Sequence, residues 1–507
     1  MKTVLFIILN YLLFSFARSQ SITIDEKIRY QIIDGFGASD AWRTQFVGKY
    51  WPIEKREQIA ELLFSSELDK SGNPKGIGLS IWRYYIGTGS AELGDSSGIQ
   101  NEWRRSECFL NSDGTYDWSK NGGQDWFLRA AKEFGVDKFL GFSIAPPVFM
   151  SINGKGFSIK NDPRINVQPG KLDDYAEYLI KVLEYYKNEG IAFDYLSPFN
   201  EPQWDWSKAS QEGTAATNED IYLFTKYLSE ELKHSKLTTN LLLGEAAKYQ
   251  FLYERHGAAA QGDQIDVFFN PESALYLGDL SNVLTIITGH SYFTSWPPSV
   301  QYQVRRDLNS KLKEYPGLGF SQTEYCILEE SPEIGSGHKR DLGMNTALFV
   351  ARLIHSDITI AQSRGWQWWT ALSNSDFKDG LIYLDTGNPD DLFDLEKMKY
   401  DGNFHESKLL WALGNYSRFV RSGMVRIHTS IDKVSGEITA SAYADSTGQK
   451  VMIFTNQTKE KQKLTLPEGF KVHSMYLTDK WHDLDEVRNG NKKVILPSRS
   501  ILTILGN

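Results

Sequence analysis

The sequence predicts a (β/α)8 TIM barrel with a C-terminal β-sandwich side domain that also takes up the N-terminal strand. Three observations lead there. Between about residues 35 and 411, eight apolar, β-rich runs alternate with stretches of helical periodicity. After about Ser417 short strands follow one another with no helices between them. Ahead of the first barrel run, Ser21–Ile33 is itself strand-like. Strand–helix alternation means a parallel sheet, and eight strands close such a sheet into a barrel.

The elements follow in order. Met1-Lys2, the apolar Val4–Phe16 and the small residues around Arg18 have the layout of a secretory signal peptide. Residues 1–19 are therefore assigned to export, into the periplasm or the extracellular space. The apolar run is short for a membrane span, and no integral membrane segment is expected after cleavage. Residues 20–34 supply the strand that joins the sandwich, 35–411 the (β/α)8 barrel and 412–507 the side domain.

The barrel runs are Gly35–Ser39, Gly78–Tyr85, Lys138–Ile144, Tyr195–Asn200, Asn240–Glu245, Leu284–Tyr292, Gly317–Glu324 and Gly365–Thr370. Helical spacing covers Ile53–Phe64, Gln124–Phe134, Leu172–Asn188, Asn218–His234, Val300–Tyr315 and Leu342–Ser363. Asp173-Asp174 and Glu219-Asp220 open two of these helices with the acids that the helix dipole favours. Continuous apolar strand cores suit a sheet covered on both faces. An open doubly wound sheet is the alternative, and no Gly-rich phosphate loop supports it. In the last part, Gly423–His428, Ile438–Ala444, Lys450–Asn456, Gln462–Leu466, Lys471–Leu477 and Val494–Leu505 read as sandwich strands. Turn residues at Asp445–Gly448, Pro467–Gly469 and Asn489–Asn491 separate them.

The formal net charge of −9, without a Lys/Arg block, argues against nucleic acid as a partner. A neutral polymer meets no such objection. The 14 Trp, 25 Tyr and 28 Phe provide rings for sugar stacking as well as for the core. Cys108 and Cys326 are the two cysteines, too few for a disulfide scaffold or a metal cluster. One disulfide between them is open to an exported chain, and buried structural thiols are the preferred reading.

Two acids stand at strand ends. Glu201 follows Tyr195–Asn200 and precedes Pro202, Trp204 and Trp206; Glu324 ends Gly319-Phe-Ser-Gln-Thr and precedes Tyr325-Cys326. A pair of carboxyl groups at the mouth of a barrel, flanked by aromatics, is the equipment of sugar hydrolysis. Glu245, ending the fifth strand, is a third candidate acid, or else an auxiliary hydrogen-bonding group or helix-start acid. Glu102, Glu107, Glu329 and Glu330 read as solvated loop charges. Long or aromatic loops at Tyr84–Asn101, Ser151–Gly170 and Thr294–Pro298, with Trp42, Trp103, Trp204 and Trp296, suggest subsites along a chain rather than a cap over one terminal sugar. No ligand spacing calls for a metal, no cofactor is expected, and no Gly-x-Ser-x-Gly elbow suggests an ester hydrolase.

Ser197-Pro-Phe-Asn-Glu-Pro202, Thr323-Glu-Tyr325, Gly365-Trp-Gln-Trp-Trp369 and the junction from Phe404-His405 through Phe419–Ile427 resemble glycoside hydrolase family 30, within the clan of retaining barrel glycosidases. The resemblance covers nearly the whole mature chain, and its endo-β-1,6-galactanase-like branch is the nearest. It implies Glu201 as acid/base and Glu324 as nucleophile. It implies that Asn200 holds the sugar 2-hydroxyl, and that Arg83 sits beside Glu324 and keeps it ionised. His290 and Tyr292 would contact the sugar or orient a glutamate, and Trp204 would contact substrate. Trp369 or Trp366 would floor the site. Alternation puts Trp366 and Trp368 on one face and Trp369 on the other without choosing between them; the resemblance favours Trp369. For the ionised acid, a tyrosine hydroxyl from Tyr325 or Tyr292 would assist Arg83.

The implied activity is a secreted, retaining hydrolase of β-glycosidic bonds in a neutral oligo- or polysaccharide, foremost an endo-β-1,6-galactanase. A β-1,6-glucanase, a xylanase, or a carbohydrate-binding protein on a retired glycosidase scaffold are the alternatives.

Overall fold

The computed structural model describes residues 20–432, 436–487 and 493–507; the segment assigned to export and the Asn489–Asn491 turn lie outside the described residues. Strand β1 (Gln20–Ile32) belongs to the side domain. The barrel strands are β2 (Gly35–Ser39), β3 (Ile81–Tyr85), β4 (Lys138–Phe142), β5 (Tyr195–Ser197), β6 (Asn240–Ala246), β7 (Val283–His290), β8 (Gly319–Glu324) and β9 (Ser363–Trp368). They pair in parallel in chain order, and β9 closes on β2 through Gly35 opposite Gly365. Gly37 is required where β2 meets β3: a Cβ there would lie 2.6 Å from the Ile81 carbonyl oxygen.

Alternation along the strands sorts the side chains. Ile81 and Tyr85 join Leu140, Phe142, Tyr195, Leu242 and Ile286 in a cluster inside the barrel. Trp82 and Tyr84 belong to the larger core shared with the helices. Arg83, between them, therefore points inward with Ile81 and Tyr85. Helices Ile53–Phe64, Leu172–Asn188 and Asn218–His234 have the bounds that their apolar periodicity predicts. The last begins in a capping box, in which Thr217 Oγ1 accepts from Asp220 N and the Asp220 carboxylate accepts from Thr217 N.

β1 pairs antiparallel with Val425–Ile431 and parallel with Gln462–Thr465, so the start of the chain is built into the side domain. Ile22, Ile427, Met452, Phe454, Leu464, Val494 and Leu502 form its core. Several features differ from expectation, among them the helix expected over Leu342–Ser363, which runs Met344–Thr359 and leaves Ser363 to open β9. Val494–Leu505 is two strands, Lys493–Leu496 and Ser500–Gly506, paired with Gln462–Thr465 and Lys450–Asn456 respectively. Pro497, without an N–H, and Arg499, at φ 48°, break the run. After β9 the chain adds a small sheet of Leu372–Ser373, Ile382–Asp385 and Asn403–Glu406, strands too short to show periodicity. The border drawn between 411 and 412 falls inside the helix Lys408–Ser417. That helix is bonded to both bodies: Ser417 Oγ donates to the Ile77 carbonyl, and Asn415 to Thr478 Oγ1.

Candidate active site

β5 stops at Ser197 because Pro198 cannot donate to the sheet. Phe199 packs edge-on against Phe224, with ring centroids 5.5 Å apart, and anchors the turn that follows. Glu201 then sits in the left-handed region at φ 49°, its N–H donating 2.8 Å to the carbonyl of Glu245, which is itself at φ 45°. That backbone costs a glutamate on the order of 1 kcal/mol or more, and here two neighbouring strand-end acids both adopt it.

The side chains converge. Arg83 donates to Glu324 Oε2 at 2.5 Å, and its second nitrogen to Asn200 Oδ1 and Glu245 Oε2, both at 2.9 Å. Tyr292 donates its hydroxyl to Glu324 Oε1 at 2.9 Å. His290 bridges two acids, with Nδ1 2.9 Å from Glu201 Oε1 and Nε2 3.0 Å from Glu245 Oε2. One oxygen each of Glu201 and Glu324 and one His290 nitrogen lie within 4.8 Å of one another.

Three carboxyl groups thus face two cations in a place where all five side chains are nearly buried. Burial would raise Glu245, but Arg83 and His290 outweigh it and bring that acid down to about 2. Burial would strip His290 of its proton, but Glu324, Glu201 and Glu245 outweigh it and raise the imidazole to about 10. Glu201 is raised, by burial first and by the Glu324 charge as well, against the pull of His290. The arrangement is neutral when one carboxyl keeps its proton. Glu201, whose ion-pair partner among the described residues is His290 alone, is the acid placed to keep it. Glu201, His290 and Glu324 also offer the atoms a metal ion would use. Each is already engaged within the protein, Glu324 with Arg83 and Tyr292, and His290 with two glutamates.

The cleft above has two lobes. One, of about 240 Å³, is lined by Glu324, Glu201, Asn200, Trp42, Trp369 and Arg104 among others. The second, of about 170 Å³, is lined by Glu201, Trp204, Phe293 and Leu328 among others. Glu201, Trp206, Gln211, Tyr292 and Leu328 border both. His290 is fully buried and lines neither, so it orients glutamates rather than facing the cleft.

Trp369 reaches the first lobe and meets Trp42 edge-on at 5.7 Å. Trp366 and Trp368 are buried on the opposite face, their indoles donating to Asp357 and to the Asp379 carbonyl. Trp103, expected at a subsite, is instead core, donating to the Leu395 carbonyl. Trp296 packs half-buried against the main core. Tyr325 turns from Glu324 toward Ser295 and Glu329. Glu329 is no solvated charge: burial raises it to about 7, and it accepts from Ser295 N. Glu102 and Glu107 are half-buried and paired with Lys399 and Lys49, which leaves Glu330 exposed. Cys108 and Cys326 are free and buried, and burial raises both thiols.

Sequence reasoning missed Glu212. Fully buried, it accepts from the Trp42 indole at 2.8 Å, from Tyr85, Thr88 and Ser90, and from Ser106 N and Oγ. It ties the loops after β2, β3 and β5 around the first lobe. Its partners are scattered along the chain, so no local pattern announces it.

The model of O-glycosyl hydrolase family 30 matches residues 19–383, and that of the family's β-sandwich domain matches residues 423–504. The chain belongs to glycoside hydrolase family 30. Among solved structures, this family 30 protein is similar to a conserved exported protein from Bacteroides fragilis, with 35% identity, TM-score 0.91, and coverage of 96% of this chain and 100% of that one. It is 24% identical to putative glucosylceramidase 3 of Caenorhabditis elegans, over 83% of this chain and 72% of that protein. It is 23% identical to an exo-β-1,6-galactobiohydrolase of Bifidobacterium longum subsp. longum, over 71% of this chain and 27% of that protein.

Proposed function

We propose that this family 30 protein is a retaining β-glycoside hydrolase with Glu324 as nucleophile and Glu201 as acid/base. The observation that carries the reading is the approach of their carboxyl oxygens, within 4.8 Å. Retaining pairs stand about 5–5.5 Å apart, whereas inverting pairs leave roughly 6.5–9.5 Å for a water. In the first step Glu324 bonds to the anomeric carbon while the bond to the leaving oxygen breaks, and Glu201 gives that oxygen its proton. In the second step Glu201 takes a proton from water, and that water's oxygen displaces Glu324 from the same carbon. The charges fit these roles. Arg83 and Tyr292 hold and orient Glu324 from two sides, and burial favours a proton on Glu201. Asn200, fixed by Arg83, is the residue for the sugar 2-hydroxyl, with Trp42 and Trp369 as the walls around the reacting sugar.

The substrate in this reading is a neutral β-linked polysaccharide met after export, with internal cleavage of β-1,6-galactan foremost. The exported character of the Bacteroides fragilis relative supports export, and the exo-β-1,6-galactobiohydrolase relative supports the β-1,6-galactan linkage; internal cleavage rests on the open, two-lobed cleft instead. Proton NMR during hydrolysis tests the mechanism: the β-anomer appears first, and first appearance of the α-anomer overturns double displacement. A panel of 1,6-galactan, 1,6-glucan and xylan with product sizing tests the rest. Release of only short products from chain ends overturns internal cleavage.

A further inference from the structure

The two lobes of the cleft are not equivalent. Glu324 borders the larger lobe only, while Glu201 borders both. The atom a nucleophile attacks must lie beside it, and the atom an acid protonates must lie beside the acid. Resting on the reading above, this places the sugar being transferred in the lobe of Trp42, Trp369 and Glu324. The departing group goes into the lobe of Trp204 and Phe293, two rings that do not border the larger lobe.

That second lobe has a definite chemistry. Trp204, Phe293 and Leu328 are 41%, 39% and 45% exposed, apolar groups left in water around one hollow. Exposed apolar side chains gathered at one place mark a binding surface. The Trp204 and Phe293 rings lie nearly parallel, 9° apart in tilt and 5.9 Å between centroids. Both are held by the catalytic turn and its neighbour. Trp204 N donates 2.9 Å to the Glu201 carbonyl, and Phe293 is next to Tyr292, with the Lys248 ammonium 5.0 Å from its ring. Asp205, Lys208 and Gln211 complete the wall.

Flat rings bordered by charged and amide groups suit a ligand with one apolar face and a hydroxylated edge, which is a pyranose. A lipid tail would need apolar lining all round, and these polar groups interrupt it. We propose that Trp204 and Phe293 form the leaving-group subsite, that its occupant is a saccharide unit, and that Phe293 is a specificity-determining residue for it.

The test compares two leaving groups on one transferred sugar. For each of galactose, glucose and xylose, kcat/KM is measured on a β-linked oligosaccharide and on the β-glycosyl fluoride, whose leaving group is one atom and needs no stacking. In Trp204→Ala and Phe293→Ala, the oligosaccharide-to-fluoride ratio falls roughly tenfold, the scale of one lost ring contact. General damage to the fold lowers both rates together and leaves the ratio where it was, and an unchanged ratio overturns the subsite. A second readout is transfer from the fluoride to added free saccharide, which falls in the same variants. Cleavage of glucosylceramide in detergent micelles by the wild type, faster than any saccharide and lost in Trp204→Ala, overturns the saccharide assignment in favour of lipid. If the wild type turns over no fluoride and no oligosaccharide, the glycosidase reading fails, and not merely the subsite.

Discussion

Replacing Glu245 by glutamine should move the alkaline limb of the pH–rate profile to lower pH. Glu245 is held near 2, so it carries a full negative charge throughout the working range. His290 hydrogen-bonds Glu201 at 2.9 Å through one nitrogen and Glu245 at 3.0 Å through the other. With the two ring nitrogens about 2 Å apart, the carboxylates stand roughly 8 Å from each other; at an effective dielectric of about 20 their repulsion is about 2 kcal/mol, or roughly 1.5 pH units. That repulsion helps Glu201 hold its proton. The Glu245→Gln change would remove it while keeping an acceptor for His290 and Arg83. The assay is kcat/KM against pH on a β-linked oligosaccharide the wild type cleaves, with the matching glycosyl fluoride as control, because fluoride departure needs little help from the acid. The expected result is a fall of about 1.5 units in the alkaline limb for the oligosaccharide alone. A limb that stays put or rises would refute the idea that this charge network governs the acid.

Three further outcomes are expected. Asp357, fully buried, accepts from Arg305 at 2.7 Å, Tyr249 at 2.9 Å, Ser291 at 3.1 Å and the Trp366 indole at 2.9 Å. Asp357→Ala strands the Arg305 charge in the core, so denaturant unfolding should show a loss of about 3–5 kcal/mol. His290 is raised from 6.5 to about 10, so its stabilisation is complete below about pH 6.5 and lost as pH climbs through 10; the stability gap between wild type and His290→Gln in thermal melts should narrow over that window. Burial raises Asp40 to about 8, so the folded chain holds a proton there that the unfolded chain releases above about 4. Stability should fall from pH 4 to 8 on this account, and Asp40→Asn should gain on the wild type across that range in melts at stepped pH.

What the sequence makes legible follows from where each signal lives. Parallel strands covered on both faces are continuous apolar runs, and β2 stands where Gly35–Ser39 reads as one. Amphipathic helices of three turns or more carry their own period, which is why Leu172–Asn188 needs no revision. Strands of two to four residues, such as Leu372–Ser373 and Ile382–Asp385, carry too few alternations to register. Parity narrows Trp366, Trp368 and Trp369 to two faces, but only the fold says which one is the cleft.

The acids show the same limit from another side. A strand end with a glutamate can be read from sequence, so Glu201, Glu245 and Glu324 are all visible as candidates. What separates them is charge at a distance. Glu324 meets Arg83 from β3 and Tyr292 from just beyond β7, Glu245 meets Arg83 and His290, and Glu201 meets His290 alone among the described residues. Exchanging the environments of Glu201 and Glu245 would exchange their protonation without altering a letter around either. The third acid is therefore no spare. Without Glu245 the two cations would balance two anions, and Glu201 would keep its proton through burial and the Glu324 charge alone.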